Sequence, residues 1–204
     1  YQAGDSSTDT NNTIAIGFEA GRDGDLGDYS IIMGVYAGNN STGASNTIIG
    51  YAAGMAIAAG ASTVLIGAEA GKSLAGTGAN GTIAIGAGAM KVHTTGARNM
   101  AIGYGAMNDT DAGSTSLGST DNIFIGYDAG GGTWVDTASQ YNVAIGNYAM
   151  DGNLDESNNN VAIGYEALSG NLDTGNNNTA VGMRALKAVT TGDSNVGVGK
   201  EAGL

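Results

Sequence analysis

Three aspartates in one polar segment are the first residues of this chain that could do chemistry. Asp23, Asp25 and Asp28 lie close together, and Asp109 and Asp111 form a second acidic group. Carboxylate oxygens at such spacing could bind calcium, but neither group completes an EF-hand loop or a Gly-Gly-x-Gly-x-Asp repeat. We therefore interpret both groups as solvated acidic turns and keep calcium binding as the alternative.

Residues suited to catalysis are sparse in this sequence. His93 is the only histidine, cysteine is absent, and no Gly-x-Ser-x-Gly elbow occurs. Residues 76–81 match G-x-G-x-x-G, but they lead into a strand-like segment instead of opening a helix, which predicts a loop. We expect His93 to be a solvated loop residue, and we predict that the chain has no enzymatic activity and no cofactor. Two carboxylates from distant parts of the chain could still act as an acid–base pair.

Aromatic side chains could stack against sugar rings. Tyr127 and Tyr165 each directly follow a glycine of an apolar motif, and Trp134 is the sole tryptophan, in the long segment 131–141. We name these three as candidate ligand contacts, since loop excursions are common recognition sites. The competing interpretation is that an aromatic column packs between neighbouring structural units.

The charge distribution excludes several classes of partner. The net charge is −12, and the seven basic residues are scattered singly along the chain. Nucleic-acid binding needs clustered lysine and arginine, so we expect no nucleic-acid partner, and anionic membrane surfaces are disfavoured for the same reason. No apolar run approaches the roughly 20 residues that span a bilayer, so we expect no membrane insertion.

One motif recurs along the whole chain, and the candidate residues above lie within its copies or between them. Its central glycine is followed three residues later by alanine, preceded directly by Ile, Val or Met, and preceded four residues earlier by Asn, Thr or Ser. The mean spacing is near 18 residues, which indicates a single repeat array over 1–204, and both ends fall inside the pattern, as if cut from a longer array. The motif glycines are Gly17, Gly34, Gly50, Gly67, Gly86, Gly103, Gly126, Gly146, Gly164, Gly182 and Gly199.

The motif predicts an all-β parallel solenoid of about eleven coils. Each apolar stretch is too short for a helix and is rich in β-branched residues, as at Val143 and Ile145. We expect these bulky side chains to fill the coil interior and the small Ala and Gly residues to face outward, where another backbone can approach closely. We also expect the asparagines that recur four residues before the motif glycine to stack and to hydrogen-bond between neighbours. Because two buried side chains per coil make a thin core, we expect a homotrimer that buries the small face between chains.

The motif resembles that of known surface fibres. Asn-Val-Ala-Ile-Gly-x-x-Ala at 142–149 and 160–167 is similar to the repeat of YadA-like trimeric autotransporter adhesin heads, and the Asn-Asn-Asn runs at 158–160 and 176–178 are similar to phage tail-fibre repeats. The resemblance implies a left-handed β-roll, three chains around one axis, and a role in attachment.

These observations predict a structural shaft of an extracellular fibre or adhesin, at a cell surface or in a virion tail fibre. Its partners would be copies of itself, with end-to-end association also open, and a host-surface glycan or receptor. A polysaccharide-binding or depolymerase fibre domain is the alternative. An ice-binding solenoid would need a regular Thr-x-Thr ladder, which the sequence lacks.

Overall fold

The chain folds as a parallel β-solenoid, as predicted. The computed structural model describes residues 3–4, 11–23, 25–110, 118–134 and 137–204. Each coil contributes one three-residue strand to an eleven-stranded parallel sheet in the order β1-β2-β3-β4-β5-β6-β7-β8-β10-β12-β13. The strands of this main sheet are β1 Ile14–Ile16, β2 Ile31–Met33, β3 Thr47–Ile49, β4 Val64–Ile66, β5 Ile83–Ile85, β6 Met100–Ile102, β7 Ile123–Ile125, β8 Val143–Ile145, β10 Val161–Ile163, β12 Thr179–Val181 and β13 Val196–Val198.

Two further strands and one short turn lie between the strands of the main sheet. β9 (Leu154–Asp155) and β11 (Leu172–Asp173) pair with each other in a second parallel sheet. A short 3₁₀ turn covers Gly76–Ala79 and leads into β5, which confirms that the G-x-G-x-x-G segment is a loop.

Equivalent motif positions stack directly on one another. Ile14 pairs with Ile31, and Val143 pairs with Val161, so the register never slips between coils. The Ile14 amide donates to Ser30 of the next coil at 2.9 Å, and the Gly34 amide donates back to Ile16 at 2.8 Å. Eleven rungs at about 4.8 Å each give a shaft about 50 Å long.

Left-handed backbone geometry turns the chain at the corners of each coil. After the motif glycine, the Ala20 amide donates to the Gly17 carbonyl at 3.4 Å, which closes a four-residue turn. Its third residue, Glu19, has φ of +54°, and the equivalent residue has positive φ in all eleven coils. Asn12, before the strand, has φ of +56°, and this corner also recurs. These corners let each coil return to the same strand position one rung higher.

The expected orientation of the strands is wrong. The middle strand residue, two before the motif glycine, points into the coil, and Ile32, Leu65 and Ala144 there are fully buried. The first and third residues point outward, with Ile14 49% and Ile16 55% exposed. Because side chains alternate along a strand, the middle residue lies on the opposite face from the first and third residues. The interior is narrow and accepts only one strand side chain per coil, which is the middle one. The bulky face is therefore the outer one.

In nine of the eleven coils, two positions share this narrow interior and have complementary volumes. In the first and last coils both positions are small, as Ala15–Gly21 and Gly197–Gly203. In the nine, where the middle strand residue is small, as at Ala144, the residue four after the motif glycine is large, as at Met150; both are fully buried. Where the strand residue is large, the other is glycine: a Cβ on Gly130 would lie 2.5 Å from Cε1 of Phe124. Large–glycine coils contain Ile32–Gly38, Ile48–Gly54, Leu65–Gly71 and Phe124–Gly130, and small–large coils contain Ala84–Met90, Ala101–Met107, Ala144–Met150, Ala162–Leu168 and Ala180–Leu186.

The motif glycine is required by close contact between coils. Its φ lies between +119° and +145° in all eleven copies, a range that side chains other than glycine rarely adopt. A Cβ on Gly17 would lie 2.5 Å from the Gly34 carbonyl oxygen, and one on Gly164 would lie 2.6 Å from that of Gly182. The predicted close backbone approach is therefore present, but the approaching backbone is the next coil of the same chain.

A ladder of buried asparagines runs beside the sheet, as predicted from their recurrence. Asn142, Asn160 and Asn178 are fully buried. Asn142 Oδ1 accepts the Asn160 backbone amide at 3.0 Å and the Asn160 side-chain amide at 3.2 Å. Asn160 Nδ2 also donates to the Gly175 carbonyl across the coil at 2.8 Å. Each asparagine thus ties two rungs together and braces a turn of its own coil, which satisfies buried polar groups that would otherwise be costly.

Candidate functional site

The most extensive unpartnered surface is the outer sheet face, which we define as the first and third residues of the eleven main-sheet strands. All of these positions are partly or fully exposed, and all are apolar except Thr47 and Thr179. Ile145 and Ile163 are each 39% exposed, and Val198 is 69% exposed. The face runs the whole length of the shaft, and contiguous apolar surfaces of this kind typically mark an interaction site.

A second surface is the aromatic column, which comprises the aromatic residues one or two positions after the motif glycine. Its members are Phe18, Tyr36, Tyr51, Tyr104, Tyr127, Tyr148 and Tyr165. Tyr127 contacts Tyr104 and Tyr148 with ring centroids 5.3 Å apart, and Tyr148 contacts Tyr165 at 5.9 Å. The rings therefore pack between coils, while Tyr127 and Tyr165 stay 42% and 43% exposed.

Ion pairs between coils lie beside this column. Glu69 bonds to Lys72 at 2.7 Å and to Lys91 of the next coil, and these ammonium groups lower its pKa to about 2. Lys187 and Arg184 bind Glu166 in the same way and lower its pKa to about 2. Because the folded pKa is depressed, each pair stabilises the fold above the ordinary glutamate pKa of 4.5 and loses this effect as the pH falls towards 2.

The pKa of Asp151 shifts in the opposite direction. It lies at a cavity of about 370 Å³ that is also lined by Tyr148, Tyr165 and Lys187. Its carboxylate is half-buried, and the described part of the chain offers its side chain no hydrogen bond or ion pair. Burial raises its pKa above the usual 3.8, with a smaller contribution from the neighbouring charge of Asp128. Asp151 is thus a partly desolvated carboxylate next to aromatic rings.

The candidate calcium ligands bind other protein groups. Asp23 forms an ion pair with Arg22 at 2.6 Å, and Asp28 Oδ1 accepts the Asn11 backbone amide at 2.8 Å. Asp25 is exposed to solvent. Among the described residues, no group of three His, Cys, Asp or Glu side chains is placed to hold a metal ion. Of the second acidic group, Asp109 accepts a hydrogen bond from Thr133 at 2.8 Å, and Asp111 lies outside the described residues.

Two other candidates lie in the core. Trp134 is fully buried and packs on Phe124 with ring centroids 5.6 Å apart, so its side chain is not presented to a ligand. The expectation that His93 is solvated is wrong, because it is fully buried between Thr110 and Asn99, at 2.7 Å and 3.1 Å. Both residues lie between motifs, and their buried side chains fill space inside the coil.

No family model, curated protein or solved structure matches this chain. In the part of the chain that the structure describes, no helix is long and apolar enough to cross a membrane.

Proposed function

We propose that this chain is a structural shaft of an extracellular fibre or adhesin that assembles as a homotrimer through its outer sheet face. The observation that carries the proposal is the orientation of the strands, because it leaves an apolar strip, interrupted only by Thr47 and Thr179, along one side of the solenoid. A thin core of one strand side chain per coil would gain substantially from covering that strip.

A second and a third copy of the chain are the partners that fit this strip. Each copy carries the same side-chain columns at the same rung spacing, so identical faces can be matched rung by rung. The motif's resemblance to trimeric adhesin heads supports three chains and a left-handed coil. In such an assembly the rungs supply length and rigidity, and exposed side chains on the remaining faces supply attachment.

Multi-angle light scattering after gel filtration tests the assembly. We expect the mass of three chains, and we expect Ile145→Lys combined with Ile163→Lys to shift it to one chain, because two charges per chain would be buried unpaired. Asn159→Asp is the matched control, since Asn159 is exposed away from the strands. A single-chain mass for the unaltered protein at micromolar concentration would refute the proposal.

Polysaccharide binding is the second candidate, favoured by the exposed aromatic column next to carboxylates. A depolymerase activity would draw on the half-buried Asp151, because burial raises the pKa of its carboxyl above the usual 3.8 and so favours the protonated form that a general acid needs. A reducing-sugar assay on capsular polysaccharide distinguishes cleavage from binding alone. Ice binding gains no support, because the outer sheet face carries only Thr47 and Thr179.

A further inference from the structure

The aromatic column is interrupted over two coils, and the gap forms a small groove that we name the Tyr104 notch. In these coils Ala68 and Ala87 occupy the position at which Tyr51 and Tyr104 stand on either side. The groove has a volume of about 200 Å³, and its floor includes Gly88. At about 4.8 Å per rung, the missing rings leave an opening wide enough for one six-membered sugar ring.

One face of the Tyr104 ring is directed into this notch. Tyr104 and Tyr127 stack with their planes only 9° apart, and Tyr127 belongs to the coil on the far side from the notch. The other face of the Tyr104 ring therefore points towards Ala87. Because Tyr104 is 60% exposed, an incoming ligand could stack against it without displacing a neighbouring ring.

Polar groups at fixed positions complete the notch. Glu69 and Lys91 line it and are held by their mutual ion pair, with Lys72 on the other carboxylate oxygen. Asn108 also lines it, and its Oδ1 is buried without a hydrogen-bond donor among the described residues. Both lysines neutralise Glu69, and the carboxylate of Asp128 lies beside Gly105, which also lines the notch.

We propose that the Tyr104 notch is a saccharide subsite that binds one pyranose ring of a surface glycan. The apolar C–H face of the sugar stacks on Tyr104, its hydroxyl groups donate to Glu69 and to Asn108 Oδ1, and a hydroxyl or carboxylate oxygen accepts from Lys91. An apolar wall with a few oriented polar groups is the usual composition of a small-molecule site. The inference rests on the proposed attachment function and names its ligand class.

Isothermal titration with two defined probes, a neutral cellohexaose and an acidic oligouronate hexamer, tests the subsite. We expect at least one probe to bind with a Kd at or below roughly 1 mM. Tyr104→Ala should weaken that binding by about tenfold or more. Ala87→Tyr should abolish it, because the new ring would continue the column and fill the groove. The coils that flank the notch already accommodate tyrosine at this position, as Tyr51 and Tyr104.

Tyr29→Ala is the matched control, because it removes an exposed tyrosine ring that lies outside the aromatic column. Binding should then be unchanged. The subsite is wrong if neither probe binds at millimolar concentration, if Ala87→Tyr binds normally, or if Tyr29→Ala weakens binding as much as Tyr104→Ala. Light scattering on the same samples keeps the proposals apart, since a trimer without binding refutes only the subsite, and a binding monomer refutes only the trimeric shaft.

Discussion

Exchanging large and small residues within the seventh coil is the sharpest test of the complementary core positions. Phe124 is fully buried and packs against Trp134, so Phe124→Ala should destabilise the fold by about 3–5 kcal/mol through lost burial and a cavity. Gly130→Met alone should destabilise it by about 1–3 kcal/mol or more, because the new side chain would overlap the Phe124 ring.

The double variant should be much less destabilised than the sum of the two changes. It would recreate the alanine–methionine pairs of the coils on either side, Ala101–Met107 and Ala144–Met150. The backbone already suits this exchange, because φ is +62° at Gly130, against +51° at Met107 and +49° at Met150. We expect a favourable coupling of about 2 kcal/mol or more between the two substitutions.

Urea denaturation followed by circular dichroism, at one fixed chain concentration, measures this coupling. The control pairs Phe124→Ala with Gly71→Met, three coils away, for which the costs should add to within about 0.5 kcal/mol. If the losses of unfolding free energy for Phe124→Ala and Gly130→Met also add to within that margin, the two positions are not energetically coupled.

Three further changes test other parts of the fold. Gly126→Ala should destabilise the fold by more than about 2 kcal/mol, since it combines φ of +145° with a Cβ 2.5 Å from the Gly146 carbonyl carbon; thermal melting measures it. Asn142→Ala should lower the free energy of unfolding by about 1–3 kcal/mol, because the backbone and side-chain amides of Asn160 lose their shared acceptor. Hydrogen exchange at the Asn160 backbone amide should become faster, and unchanged exchange would contradict the ladder. Asp151→Asn should stabilise the protein at pH 7, because it removes a carboxylate whose pKa burial raises. This gain in stability should disappear below the ordinary aspartate pKa of 3.8, where the carboxyl is protonated in both the folded and the unfolded chain. A gain that persists at pH 3 would rule out desolvation as its cause.

The sequence predicted those features that recur in every motif. Stacked rungs and the close approach at the motif glycine follow from residue types that recur in all eleven copies, and the asparagine ladder follows from an asparagine that recurs in seven of them. The orientation of the strand faces did not follow. Bulky apolar residues are usually buried, which predicts Val143 and Ile145 inside. The narrow interior accepts only one strand side chain per coil, so both residues lie on the outer sheet face.

Residues outside the motif could not be placed from the sequence. His93 and Trp134 lie in inter-motif segments of variable length, where no repeat register indicates which side chains point inward. The complementary core positions were visible in principle, since glycine follows Leu65 at the same distance at which methionine follows Ala84. Recognising this would have required comparing two positions of the same coil instead of one position along the array. The trimeric assembly, the extracellular location and the absence of enzymatic activity stay predictions.

The uneven spacing of the motifs has a practical consequence. Gly103 and Gly126 are 23 residues apart, whereas Gly34 and Gly50 are 16 apart, yet Met100 still pairs directly with Ile123. Extra residues between two motifs therefore leave the pairing of the flanking strands unchanged. The number of motifs therefore determines the length of the shaft. Peptides inserted between motifs would be displayed along its side, at an axial position set by the choice of motif.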